Sequence, residues 1–127
     1  MSESFTILVV DDNPSMAGSL VDILEVKGFE VHAASNGAEA LEILRVHHVD
    51  ILLTDVKMLD MNGLDLYRET RLIYPKLITL FMMAYAADDL IQQGMKEGIK
   101  TVLSKPVDID LLLSLLSNYK RIMTNAG

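Results

Sequence analysis

Five short runs, mostly aliphatic and each followed by a longer stretch of helical period, constrain this chain more than any other feature. The runs are Ile7–Val10, Glu30–Ala34, Ile51–Thr54, Leu77–Met82 and Thr101–Ser104. Four are almost continuously apolar, the pattern of parallel strands covered on both faces. The second, EVHAA, mixes polar and apolar residues and reads as an edge strand. Helices fill the gaps. Asn13-Pro14 supplies a cap and a proline at the first helical position, and Gly28 closes that helix. NGAEALEILRVHH sets Ala38, Leu41, Ile43 and Leu44 towards one side. Asn62-Gly63 opens a third helix to about Tyr74, stopped by Pro75. Asp88 caps a fourth, DLIQQGMKE, in which Gly94 costs about 1 kcal/mol relative to alanine. Asp108 caps a fifth, IDLLLSLLSNYKRI, and the tail TNAG is expected to fray. A repeating βα pattern of this kind predicts an α/β fold, an open parallel sheet doubly wound with helices on both faces.

With 127 residues the chain fits one domain, its core spanning about residues 5–123. Half of the residues are hydrophobic and 23% are charged, which places it among globular chains and not disordered ones. There is no cysteine, hence no disulfide framework and no thiolate metal site, which suits the cytoplasm. The net charge of −7 argues against direct binding of nucleic acid or an anionic membrane surface, and leaves room for cations and protein partners. No apolar run reaches membrane-spanning length.

In open α/β sheets ligands sit outside the carboxyl ends of the strands. Asp11 and Asp12 follow the first run, Asp55 ends the third as ILLTD, and Lys105 follows the fifth in TVLSKP. A parallel sheet brings all four to one edge. Two carboxylates about 4 Å apart repel by roughly 4 kcal/mol at an effective dielectric of about 20, so three demand a countercharge. An all-oxygen ligand set favours Mg²⁺ over zinc, and Lys105 adds a fixed positive charge able to grip an anion. A single aspartate in such a place merely caps the next helix; the set of four marks a site.

ILVVDDNPSM, DILLTDVKMLDMNGLDL and VLSKPVD together resemble the receiver domain of two-component response regulators, over roughly Ile7 to Leu116. The resemblance implies a five-stranded, flavodoxin-like (βα)5 domain with strand order 2-1-3-4-5. It implies that Asp55 is the phosphoacceptor, attacking the phosphorus of a histidine kinase phosphohistidine to form an acyl phosphate. Mg²⁺ would be held by Asp12 and Asp55, by Asp11 largely through water, and by the backbone carbonyl of Lys57. Lys105 would salt-bridge a phosphoryl oxygen, and a cis bond often precedes the proline at Pro106. The implied partners are a histidine kinase or phosphotransfer protein upstream and an output domain or protein downstream. The fourth and fifth helices would form the readout face and a homodimer surface. Such a domain catalyses its own phosphorylation and dephosphorylation and is no conventional turnover enzyme.

Three positions depart from the family pattern. Met83 stands where the family usually has Ser or Thr, whose hydroxyl donates to a phosphoryl oxygen; a thioether cannot donate. Val102 stands where a rotameric Tyr or Phe is usual, and Leu59 where proline is common. The nucleophile, metal ligands and lysine are intact, so these changes bear on how phosphorylation couples to shape. A plainer reading makes Met83 a packing residue. Lys57 and Tyr85, each two residues beyond Asp55 and Met83, would flank the phosphoryl group and slow its hydrolysis.

A second function class is a phosphorylation-independent interaction module of the same fold, favoured by Met83 and Val102. A haloacid-dehalogenase-type phosphatase would want an aspartate where Lys57 stands. His47-His48 reads as a solvated helix end, since neighbours on a helix do not face each other, and His32 reads as structural.

Overall fold

The computed structural model describes residues 5–58, 60–84 and 88–126. Strands and helices alternate without exception: β1 (Thr6–Val10), α1 (Pro14–Val26), β2 (Glu30–Ala34), α2 (Gly37–Val46), β3 (Ile51–Asp55), α3 (Gly63–Ile73), β4 (Ile78–Met83), α4 (Asp88–Glu97), β5 (Val102–Ser104) and α5 (Ile109–Ala126). All strand pairs are parallel, in the order β2-β1-β3-β4-β5. The mixed run EVHAA is indeed at an edge, with four of its five residues at least partly exposed before Ala34 closes the strand in the core.

Alternation along each strand divides the core. Ile7, Val9, Ile51, Leu53, Leu80 and Met82 point to one face, where α1 (Ala17, Leu20, Leu24) and α5 (Leu112, Leu116) cover them. Leu8, Val10 and Leu52 point to the other, against Ala40 and Leu44 of α2 and Leu66 of α3. Phe81 joins Val56, Leu64 and Ile99 in a third cluster beneath α3 and α4. Gly94 abuts that cluster: a Cβ there would lie 2.7 Å from the Phe81 ring. The cost in helix propensity is thus the condition for α4 to approach the sheet.

The caps follow the sequence. The Asn13 side chain accepts from the N–H groups of Ser15 and Met16, with Pro14 next in the chain. Asn62 and Asp65 form a reciprocal capping box on α3. Asp108 accepts from the Leu111 N–H. Asp88, expected as the cap, is the first residue of α4; its side chain lies outside what is described. Strand ends differ from expectation by one residue: β1 starts at Thr6, β3 runs through Asp55, β4 covers Ile78–Met83, and Thr101 precedes β5. The largest difference is α5, expected to end near Ile122 with a frayed TNAG tail; the helix continues through Ala126. Nothing in TNA breaks a helix, and Tyr119 and Met123 pack on the core cluster, extending the apolar stripe past the predicted end. No helix among the described residues is long and apolar enough to cross a membrane.

Candidate phosphoacceptor site

Register assembles the site. Val10 pairs with Thr54, Asp55 with Met82, and Met83 with Ser104, so residues at or just past the strand ends converge. The Asp11 N–H extends the ladder to Ala34 O (3.1 Å), and the Lys105 N–H donates to Met83 O (2.8 Å) before a cis Lys105-Pro106 bond. Both side chains leave from backbone that the sheet holds still. Together with Asp12, Asn13, Asp55, Lys57, Met83 and Ala84 they line a cleft of about 410 Å³.

One carboxylate oxygen each from Asp11, Asp12 and Asp55 lie within 4.8 Å of one another. Asp11 and Asp55 are buried, while Asp12 is exposed at the rim. The Lys105 ammonium, 8% exposed, lies 2.7 Å from Asp11 Oδ2 and 2.9 Å from Asp55 Oδ2. Asp11 Oδ1 accepts from the Asn13 N–H (2.9 Å). Burial pushes the Asp55 carboxyl up; the hydrogen bond from Lys105 offsets only part of this, and Asp11 and Asp12 push the same way. Burial works against the Lys105 charge, yet its bonds to Asp11 and Asp55 outweigh that and hold its pKa above the ordinary lysine value.

The donor set fits a hard divalent cation. Three carboxylates face a single contacting ammonium among the described residues. Buried Asp11 Oδ2 has that charge beside it but no aligned hydrogen-bond donor. An oxygen-only cluster, open at Asp12, is the environment Mg²⁺ takes while keeping several waters.

Two features of the site carry no signal of their own in the sequence. The sequence marks Gly63 only as a helix start. A Cβ there would sit 2.5 Å from the Asp55 carbonyl oxygen, and its N–H donates to Val56 O (2.7 Å); without a side chain, α3 starts directly against the Asp55 backbone. Asp60 takes a left-handed conformation (φ 69°) in the intervening loop, which aspartate tolerates better than most residues. Of the positions that depart from the family pattern, Met83 is partly buried, packing on the Phe81 cluster while also lining the cleft, and Val102 pairs with Phe81. Met83 is therefore both packing and cleft wall. Lys57 is exposed at the cleft. Tyr85 and Leu59 lie outside the described residues. Away from this edge, His47 is exposed and stacks on His32 (4.3 Å between ring centroids), and His48 contacts Asp50.

Known proteins decide the family. The family model for the response regulator receiver domain matches residues 7–117. The chain belongs to that family. The receiver is 42% identical over 108 residues to a response regulator receiver protein of Anaeromyxobacter sp. (strain Fw109-5), covering 85% of this chain and 45% of the relative; it thus spans less than half of that protein. A CheY-like receiver domain protein from Methanospirillum hungatei JF-1 superposes with a TM-score of 0.91 at 26% identity, over 98% of this chain and 99% of that one. A response regulator from Burkholderia pseudomallei, whose crystal structure holds a phosphorylated aspartic acid, a calcium ion and citrate, gives 0.81 at 27% identity over 98% and 74%. The flavodoxin-like sheet order expected by resemblance is the one observed in this receiver.

Proposed function

We propose that this receiver accepts a phosphoryl group on Asp55 from the phosphohistidine of a histidine kinase or phosphotransfer protein, and thereby controls an attached or separate output partner. The observation that carries the reading is the Asp55 carboxylate, desolvated and held 2.9 Å from the Lys105 ammonium at the mouth of a cleft built by two further aspartates. A carboxylate stripped of water is the better nucleophile. Its oxygen attacks phosphorus as the P–N bond breaks; the electron pair stays on the imidazole, which picks up a proton, and an acyl phosphate remains on Asp55. Asp11, Asp12, Asp55 and the Lys57 carbonyl would hold Mg²⁺, which supplies charge neutralisation on the transferring group when bound. Lys105 needs little displacement to exchange its contact with Asp55 Oδ2 for one with a phosphoryl oxygen, keeping Asp11 as its counterion. The setting is cytoplasmic, and α4 with α5 is the candidate readout and dimer surface.

Met83 favours a second reading. It occupies the cleft wall with no hydroxyl to offer an incoming phosphoryl oxygen, and Val102 is too small to act as a rotating aromatic. In this reading the domain is a phosphorylation-independent interaction module whose binding surface is fixed. Incubation with acetyl phosphate and Mg²⁺, followed by intact mass, separates the two. Labelling that disappears in Asp55→Asn and on chelation is expected. If neither acetyl phosphate nor histidine kinases label the protein, and Mg²⁺ does not bind, the interaction module stands instead.

A further inference from the structure

The strand that ends in Asp55 carries a polar side chain that the cleft does not use. Thr54 is fully buried and absent from the cleft lining. By alternation it shares the face of Leu52, which α2 and α3 cover. Valine has the same shape and suits a strand equally well, whereas a buried hydroxyl without a partner costs free energy. This hydroxyl has a partner: Thr54 Oγ1 donates to the backbone carbonyl of Asp55 (3.0 Å). That carbonyl belongs to the peptide group whose other end, the Val56 N–H, donates to Met82 O (2.9 Å). One peptide group is thus held at both ends. The next is held too, with Val56 O accepting from the Gly63 N–H (2.7 Å). Pairing of β3 with β1 stops at Thr54, and pairing with β4 stops at Asp55. These bonds replace the ladder where the chain turns out of the sheet.

We propose that Thr54 is a positioning residue for phosphoryl transfer, its hydroxyl fixing the Asp55–Val56 peptide group and through it the direction of the Asp55 carboxylate; this rests on Asp55 being the phosphoacceptor. The rotamers open to a side chain depend on the backbone angles beneath it. Rotation of this peptide group changes ψ of Asp55 and swings its carboxylate relative to Asp11, Asp12 and Lys105. It also moves the start of the loop to Lys57, whose carbonyl would complete the metal ligands. Thr54 itself touches neither metal nor phosphoryl group. It acts from behind the carboxylate, as the partners that orient metal ligands do.

The test compares the parent with Thr54→Val, Thr54→Ser and Thr54→Ala. Thr54→Val keeps the shape and loses the hydroxyl; Thr54→Ser keeps the hydroxyl and loses the methyl. Labelling by acetyl phosphate with Mg²⁺ is followed by intact mass, well below the Tm of each protein. Thr54→Val and Thr54→Ala should label about tenfold more slowly than the parent, the scale on which lost orienting partners act. Thr54→Ser should keep the parent rate, although its missing methyl lowers its Tm. A second readout needs no metal: in chelator, the Val56 amide should exchange with deuterium faster in Thr54→Val and Thr54→Ala, and at the parent rate in Thr54→Ser. A labelled parent with an equally fast Thr54→Val would overturn the inference alone. So would rates that follow Tm, with Thr54→Ser slowed as much as Thr54→Ala, because Thr54 would then be packing only. A parent that neither acetyl phosphate nor histidine kinases label would overturn the phosphoacceptor reading, and the role of Thr54 with it.

Discussion

At the scale of single residues, the site works against the stability of the fold. Asp55 has a raised pKa through burial. A raised folded-state value means that the native state holds the proton more tightly than the unfolded chain. Stability therefore falls as pH rises from the ordinary carboxyl value of 3.8 through the folded one, and at neutral pH ionised Asp55 is a cost. Asp55→Asn should stabilise the metal-free protein by about 1 kcal/mol, or about 4 °C in Tm. Lys105→Met should do the reverse, losing about 3 kcal/mol, because it leaves Asp11 and Asp55 buried without a countercharge. Thermal melts of both variants in chelator check the pair; equal shifts in the same direction would contradict the account. Lys57 concerns lifetime more than stability. It is exposed at the cleft mouth, where its side chain can pair with a phosphoryl group and obstruct water. Lys57→Ala should speed hydrolysis of the acyl phosphate about tenfold, the scale of one lost charge-assisted bond. The decay of labelled protein followed by mass gives the rate, and an unchanged rate would place the lysine in solvent with no role.

Among elements, the contact between α3 and α4 is where charge decides the packing. Glu97, at the end of α4, accepts from Arg68 (2.6 Å) and from Gln93 (2.6 Å) and pairs with Arg71 (3.1 Å). Its backbone carbonyl accepts from the Tyr67 hydroxyl (2.8 Å), and Arg71 stacks over the Tyr67 ring. The Arg68 hydrogen bond, with help from Gln93, pulls the Glu97 carboxyl down to about 2. The sign is opposite to that of Asp55. A depressed carboxyl stabilises fully above its unfolded value of 4.5 and loses that contribution as pH falls towards 2. Glu97→Gln should therefore melt below the parent protein at pH 6, and the gap should close between pH 4.5 and 2. A gap that persists at pH 2 would show that the hub acts by shape and not by charge. The hub holds the C-terminal end of α4 to α3.

For the whole molecule, what the sequence made legible and what it hid divide by range. Five strand-like runs and their caps are local signals; they revealed all ten elements and placed the strand ends to within one residue. Asp11, Asp12, Asp55 and Lys105 were legible because a parallel sheet sends all strand ends to one edge. Gly63 was not, because its constraint is the Asp55 carbonyl 2.5 Å from where a Cβ would stand, a contact that no spacing rule contains. The Glu97 hub spans 26 to 30 residues and leaves no periodic trace, and α5 outran its predicted end because Met123 found a core partner. The same convergence that made the cleft readable leaves it overcharged, with three carboxylates against the Lys105 ammonium. A divalent cation that binds the folded cluster and not the open chain must raise stability by mass action, by about 2.7 kcal/mol at a hundred times its Kd. Added Mg²⁺ should therefore raise the Tm of the parent protein by about 10 °C, and K⁺ at equal ionic strength should not. Asp12→Ala should lose most of the rise with little change in the metal-free Tm, because Asp12 is exposed and has no hydrogen bond to break among the described residues. If Mg²⁺ and K⁺ act alike, the carboxylates are screened and not ligating, and the phosphoacceptor reading loses the charge neutralisation on which its chemistry depends.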